Sequence, residues 1–387
     1  MTTYLLLFAV SSLFTLATAA EFLQVNGTNL QYQGKRVFLS GANQAWVNYG
    51  CDFGNDQTVE HFEALKGFID LVARSGGNSI RMWLFTEGDC IPAWEDDGMV
   101  IRTDAADSLT EDLRRYLQYA ASKNVFVVLS LWNGALMRND KVQSMFVDEA
   151  KLQSFFDNAL TPLVKALANE PALAMWEVIN EPEGSLQVIT KVNDSGCFDT
   201  RRFIGTEAGW SGTKLKMENI LHFINKHAAA IHAADTTALV TSGAWNERSS
   251  TDANIGAENY FNYYKDECLV EAGGEESGLL DVAQIHTYAN KHTKKFSSGS
   301  PFANSAAEYE INKPLIIGEF SVALASNTDW TIKEMYRYAL SQGFAGAWDW
   351  ALVGGADDGN DRAETAHRGM EALAGADAVL VNIYENL

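Results

Sequence analysis

The feature that most restricts the fold of this chain is a change of period repeated eight times. Short apolar or β-branched runs alternate with longer segments of helical periodicity from residue 38 onward. The strand-like runs fall at 38–46, 78–85, 125–132, 173–181, 239–245, 280–288, 314–320 and 346–352. Each is followed by a helix-like segment, at 59–75, 108–123, 149–169, 213–234, 257–268, 302–310, 329–341 and 362–374, with 257–268 and 302–310 the least regular. Strands joined through helices pair in parallel, and eight such units close on themselves. The expectation is an α/β chain forming a (β/α)8 barrel. Residues 22–39 alternate around the turn Asn26-Gly27 and predict a β-hairpin that closes the bottom of the barrel. A barrel needs roughly 250 residues or more as a single unit, so residues 21–387 are read as one domain.

In a barrel of this kind the chemistry lies at the C-terminal ends of the strands. The run Ala174-Met175-Trp176-Glu177-Val178-Ile179-Asn180-Glu181 stops at Pro182, which cannot extend a central strand, so Asn180 and Glu181 fall on the lip. The run 314–320 also ends on a carboxylate, Glu319. The other strand ends supply Asn43 and Trp46, Arg81 and Trp83, Trp132 and Asn133, Trp245 and Asn246, His286 and Tyr288, and Trp348 with Trp350. Longer loops carrying Trp94, Trp210 and Asp357-Asp358 would wall this floor. Sugar rings present flat C–H faces to aromatic rings and hydroxyls to polar side chains, and this set of Trp, Asn, Arg and His serves both. Two strand-end glutamates are the minimum needed to cleave a glycosidic bond with retention. Glu177 shares the side of Glu181 by the period of two and is read as a buried carboxylate paired with a barrel Arg or Asn. Glu183 reads as a loop residue, and His222, His227 and His232 as the surface of a helix.

A formal net charge of −21 argues against nucleic acid or an anionic membrane as partner, because their phosphates would repel the chain. Residues 1–20 hold an apolar run followed by small residues, the pattern of a signal peptide, and imply a secreted, extracellular protein. No later stretch approaches the ~18 apolar residues of a membrane span. The four cysteines would then meet an oxidising compartment. They allow three pairings; Cys51 with Cys90 and Cys197 with Cys268 is favoured, since the barrel brings those loops together. Asn26-Gly27-Thr28 and Asn193-Asp194-Ser195 are glycosylation sequons. A monomer without metal or cofactor is expected.

These residues resemble glycoside hydrolase family 5, and within it the secreted invertebrate endo-β-1,4-mannanases, over nearly all of the chain after residue 20. The resemblance rests on Asn180-Glu181-Pro182, Gly318-Glu319-Phe320, Arg81 within Ser79-Ile80-Arg81-Met82-Trp83, His286-Thr287-Tyr288 and the tryptophans ending strand eight. It departs from the family at strand three, where many members carry a histidine and this chain reads Leu129-Ser130-Leu131-Trp132-Asn133. It implies double displacement, with Glu181 as acid/base and Glu319 as nucleophile. Arg81 would keep Glu319 ionised, Tyr288 would hold it in one rotamer, Asn180 would grip the sugar 2-hydroxyl, and His286 would position the acid or a hydroxyl. Trp350, or else Trp348, would floor the central subsite; Trp46, Trp83, Trp132, Asn133, Trp210 and Trp245 would line the cleft. The substrate implied is a mannan-type polysaccharide. An endo-β-1,4-glucanase would share the whole catalytic set, whereas a metal-dependent barrel enzyme would need more Asp, Glu and His at the strand ends. A silent carbohydrate-binding barrel would have no use for the carboxyl pair.

Overall fold

The structure, a computed structural model, describes residues 21–191, 195–256, 260–290, 292–293, 295–321, 330–353 and 366–384. The expected signal segment 1–20, the sequon at Asn193 and the wall at Asp357-Asp358 lie outside these residues.

The chain opens with a three-stranded antiparallel sheet, not the two-stranded hairpin expected: β1 (Gln24–Asn26), β2 (Asn29–Tyr32) and β3 (Lys35–Val37). A second tight turn supplies the extra strand, with Gln33 and Gly34 both at positive φ, 53° and 71°. Asn26 is exposed at the first turn. Tyr32 packs edge-on against Phe126 at 5.3 Å between ring centroids. Phe126 begins a barrel strand, so the small sheet closes the N-terminal end of the barrel.

The eight barrel strands are β4 (Leu39–Asn43), β5 (Ser79–Thr86), β8 (Phe126–Asn133), β9 (Leu173–Asn180), β10 (Val240–Gly243), β11 (Ala283–Thr287), β12 (Leu315–Phe320) and β13 (Gly346–Trp350). A small antiparallel ribbon, β6 (Ala93–Trp94) with β7 (Val100–Arg102), decorates the loop after β5. The barrel strands pair in parallel in the order β10-β9-β8-β5-β4-β13-β12-β11. The ring closes between β10 and β11 through the Ala244–Ile285 bridge, where the His286 amide donates to the Ala244 carbonyl at 2.9 Å. Every residue of β4, β5, β8, β12 and β13 is buried, as strands covered on both faces require.

The helices are α1 (Thr58–Arg74), α2 (Leu109–Ser122), α3 (Asp140–Met145), α4 (Glu149–Phe155), α5 (Thr161–Leu167), α6 (Met217–Ala234), α7 (Asp266–Gly273), α8 (Ile332–Ser341) and α9 (Ala366–Glu371). The single helix expected at 149–169 is interrupted by a widened turn over Phe156–Leu160, where the Thr161 amide reaches back five residues to Phe156. Pro162 follows and has no N–H to give to the ladder. In the described part of the helix expected at 257–268, helix starts only at Asp266, because Tyr260, Tyr263 and Tyr264, though spaced like a helix face, are buried from a loop; 257–259 lie outside the described residues. The segment at 302–310 forms one 3-10 turn, Ala306–Tyr309, started by a Ser305–Glu308 capping box. His227 is not on the helix surface. It is completely buried, with Nδ1 at 2.7 Å from the Phe223 carbonyl and Nε2 at 3.2 Å from the Trp132 indole nitrogen.

Disulfides join Cys51 to Cys90 and Cys197 to Cys268, with Cα separations of 5.4 and 5.3 Å. The first ties the loop after β4 to the loop after β5, and the second ties the loop after β9 to α7. No helix among the described residues is long and apolar enough to cross a membrane.

Candidate active site

The site is built upward from Arg81, which β5 places inside the barrel with its side chain completely buried. A buried guanidinium needs acceptors for all five N–H groups, and the neighbouring strands supply them. Glu177 takes two, at 2.6 Å from Nε and 2.5 Å from Nη2. Asn43, Asn180 and Glu319 accept the others at 2.8, 2.7 and 2.7 Å. Burial alone would lower the Arg81 pKa, but the charges of Glu177 and Glu319 outweigh it and push it above its usual range. Glu177 is filled in turn: Ser130 and Gln284 donate to it at 2.9 Å each. It is the buried structural carboxylate that the sequence suggested.

Glu319 stands above this layer, with one oxygen on Arg81 and the other at 2.7 Å from the Tyr288 hydroxyl. Burial pushes its carboxyl above the ordinary value, while the Arg81 charge and the hydrogen bonds from Tyr288 and Arg81 favour the anion. Burial and the Glu319 charge hold the Tyr288 phenol well above its usual range, so Tyr288 donates. Glu181 follows directly on β9 with φ 40° and ψ 59°, a left-handed backbone that non-glycine residues adopt at a cost. Its amide donates to the Gly243 carbonyl at 2.7 Å, and its carboxyl lies 2.9 Å from His286 Nδ1. The same ring nitrogen is 3.5 Å from Glu319. One carboxylate oxygen of Glu181 and one of Glu319 lie within 4.8 Å of each other. Burial, and secondarily the Arg81 charge, hold the His286 pKa well below its ordinary value, so the ring is neutral.

Among the described residues, Glu181, His286 and Glu319 are close enough to ligate a metal ion together. The donor set does not suit one: the guanidinium 2.7 Å from Glu319 would repel a cation.

Two aromatic groups stand on opposite arcs of the barrel mouth. Trp46, Trp83 and Trp350, from the β4, β5 and β13 ends, meet at centroid distances of 5.2 to 6.0 Å, with Tyr49 and Tyr288 against them. The Trp83 indole nitrogen is buried and has no hydrogen-bond partner among the described residues. Trp210 and Trp245 form the second group, 5.1 Å apart, with Trp210 exposed.

Two expected cleft residues belong elsewhere. Trp348 points into the barrel like Trp350 but one layer deeper, completely buried, with its indole donating to Ser79 at 3.0 Å. Trp132 faces the helices, stacked on Phe85 and edge-on to Phe155 and Phe223. The alternation slips in β8: Ser130 and Asn133, three residues apart, both point inward, and Trp132 between them turns out. Asn133 does line the site, bonded to Glu87 at 2.6 Å and to Asn180 at 3.2 Å.

Three polar residues of the site were not singled out from the sequence or were read differently. Glu87 is buried and accepts from Tyr49 and Asn133 at 2.6 Å each. Burial raises its pKa against those hydrogen bonds. It directly follows β5, so the strand-end rule that found Glu181 would have found it. Gln284, two residues before His286, breaks an otherwise apolar start of β11 on the same face. Glu183 is not an open loop residue; it is buried and takes donors from Ser249, from Tyr264 at 2.6 Å and from the Trp245 amide at 3.2 Å, anchoring the second aromatic group.

Residues 30–354 match the family described as Cellulase (glycosyl hydrolase family 5). The chain is 44% identical, over 93% of its length and 91% of the relative's, to a mannan endo-1,4-beta-mannosidase of Cryptopygus antarcticus. It is 39% identical to another from Mytilus edulis, over 90% of its length and 92% of that protein's. The crystal structure of the Cryptopygus antarcticus beta-1,4-D-mannanase superposes with a TM-score of 0.89 at 43% identity, covering 94% of this chain and all of that one. A match spanning the whole barrel, with the carboxyl pair at the ends of β9 and β12, means that this chain belongs to glycosyl hydrolase family 5.

Proposed function

We propose that the protein is a retaining endo-β-1,4-mannanase that cleaves internal mannosidic bonds of mannan-type polysaccharides. The observation that carries the mechanism is the spacing of the two carboxyl groups. Retaining glycosidases hold theirs about 5–5.5 Å apart, whereas inverting enzymes leave about 6.5–9.5 Å for a water; an oxygen of Glu181 within 4.8 Å of one of Glu319 supports the retaining spacing. The substrate assignment is supported by the two mannan endo-1,4-beta-mannosidases, which match along nearly the whole chain.

Glu319, ionised between Arg81 and Tyr288, attacks the anomeric carbon and forms a glycosyl-enzyme ester. Glu181 gives its proton to the departing glycosidic oxygen as that bond breaks. In the second half Glu181 takes a proton from water, whose oxygen attacks the same carbon and releases Glu319. Asn180 is held by Arg81 and Asn133, which leaves it placed to meet the sugar 2-hydroxyl. The two aromatic groups bind sugar rings on either side of the cleavage point, and the Trp83 N–H is available to a sugar hydroxyl. The two disulfides fit the expected secretion, with the protein working outside the cell as a monomer on a neutral polymer.

The test is reducing-sugar release from linear mannan and from soluble cellulose side by side, with Glu181→Gln as control. Mannan cleavage that falls roughly 100-fold or more in the variant is expected. Cleavage of cellulose alone would replace the substrate and keep the mechanism, and cleavage of neither would overturn the enzyme assignment.

A further inference from the structure

His286 is neutral and therefore carries one proton on two ring nitrogens. Both nitrogens have oxygen neighbours: Nδ1 faces Glu181 Oε1 at 2.9 Å and Nε2 faces Gln284 Oε1 at 3.2 Å. The location of the proton decides what Glu181 can be. A proton on Nδ1 would bond the Glu181 anion, whereas a bare Nδ1 is an acceptor that only a protonated Glu181 can satisfy.

Gln284 settles the choice. Its Nε2 donates to Glu177 Oε2 at 2.9 Å. Both Glu177 oxygens already accept, from Arg81 and Ser130, so turning the amide over would set oxygen against oxygen. The Gln284 Oε1 is thereby held toward His286 and requires a donor there. Two glycines make room for this chain of contacts. A Cβ at Gly318 would come within 1.9 Å of Gln284 Oε1, and one at Gly243 within 3.1 Å of His286 Nε2 and 3.0 Å of Glu177 Oε1.

We infer that Gln284 is a positioning residue that fixes His286 as the Nε2–H tautomer, so that the bare Nδ1 accepts from Glu181 and holds it protonated until a glycosidic bond is cut. This rests on the reading of Glu181 as the acid/base. The titratable and charged groups around His286 are Glu181 and Glu177 of the β9 segment, Glu319 on β12, Arg81 on β5 and Tyr288 beyond β11, with Asp349 of β13 behind Tyr288. The arrangement also suits the second half-reaction: once Glu181 has lost its proton it faces a lone pair, and it recovers by taking a proton from the attacking water.

The test is nitrogen-15 NMR of the histidine rings in the whole wild-type protein, with the His286 signal assigned by its loss in His286→Asn. A proton on Nε2 and a bare Nδ1 are expected across the pH range of activity; a proton on Nδ1 overturns the inference without touching the enzyme assignment. In Gln284→Met the proton is free to move to Nδ1, and the alkaline limb of kcat/KM for mannan should fall by roughly one pH unit. Hydrolysis of an aryl mannobioside with a good leaving group, which needs little help from an acid, should change less. An unmoved limb in a variant of wild-type melting temperature would show that Gln284 does not act through the proton. Wild-type protein that leaves mannan uncut would instead defeat the proposed function, whatever the tautomer.

Discussion

Glu177 and Glu319 share one guanidinium and lie one layer apart, yet they are different kinds of carboxylate. Glu177 accepts four donors from Arg81, Ser130 and Gln284 and is sealed from solvent. Glu319 accepts from Arg81 and Tyr288 and stands beside the partly exposed Glu181 at the barrel mouth. A saturated carboxylate is a structural element; one with a lone pair in reserve and an open face is available for chemistry. The charge that makes Glu319 useful is held by a cation which Glu177 has already fixed in place.

Two substitutions should pull this contrast apart. Glu319→Ala is expected to abolish mannan turnover with the folded circular dichroism spectrum intact; loss of folding would mean that Glu319 is part of the floor. Glu177→Ala should do the reverse at first hand, destabilising the protein by about 3–5 kcal/mol because Arg81 loses its main partner while still buried. Urea unfolding measures this, and a change under 1 kcal/mol, the size of an exposed ion pair, would show that the floor is not sealed.

His227 extends the contrast to histidines. Like His286 it is neutral and buried, but its neighbours are a carbonyl and an indole, and burial holds its pKa at about 3. The unfolded chain takes up a proton near the ordinary value of 6.5 and the folded chain does not. Stability is therefore lost as pH falls from 6.5 toward about 3, at up to about 1.4 kcal/mol per unit. His227→Phe should flatten that slope, measured as urea midpoints at neutral and acid pH; an unchanged slope would place the acid sensitivity elsewhere.

The smallest effect concerns Glu319 itself. A carboxyl whose folded pKa is raised weakens the fold above that pKa and has no effect below its ordinary 4.5. Glu319→Gln should therefore raise Tm at neutral pH, through a gain of about 1.4 kcal/mol for each pKa unit relieved, and the gain should shrink as pH falls. A lower Tm at neutral pH would mean that Arg81 depends on this charge for its own burial.

The barrel and its carboxyl pair were legible because both are written in local signals. Eight changes of period and two strand-end glutamates need no knowledge of neighbours. What failed depended on depth and phase. The period of two placed Trp348 and Trp350 on one face correctly, but said nothing of which sits a layer lower among Ser79 and the barrel bottom. The slip between Ser130 and Asn133 turned Trp132 toward α4 and α6, and nothing in Leu131-Trp132 announces it. Residues 260–264 imitated a helix because tyrosines at such spacing are also what a buried loop needs. Gln284 was passed over, and Glu183 was read as a loop residue, because their importance lies in what they orient, which only contacts reveal.

The seam between β10 and β11 carries a further consequence. The strands meet there through one bridge, and bonds at Val240 and Thr241 splice the gap: the Asp281 and Val282 amides donate to the Val240 carbonyl at 2.8 and 3.3 Å, Thr241 donates to the Val282 carbonyl, and the Asp281 carboxylate accepts from the Val240 amide, at 2.8 Å each. His286 begins one residue beyond that bridge and its amide closes the joint. The least laddered joint of the ring thus coincides with the residue that touches Glu181, so a loosening of the barrel there would move His286 against that carboxyl and alter its hold on a proton.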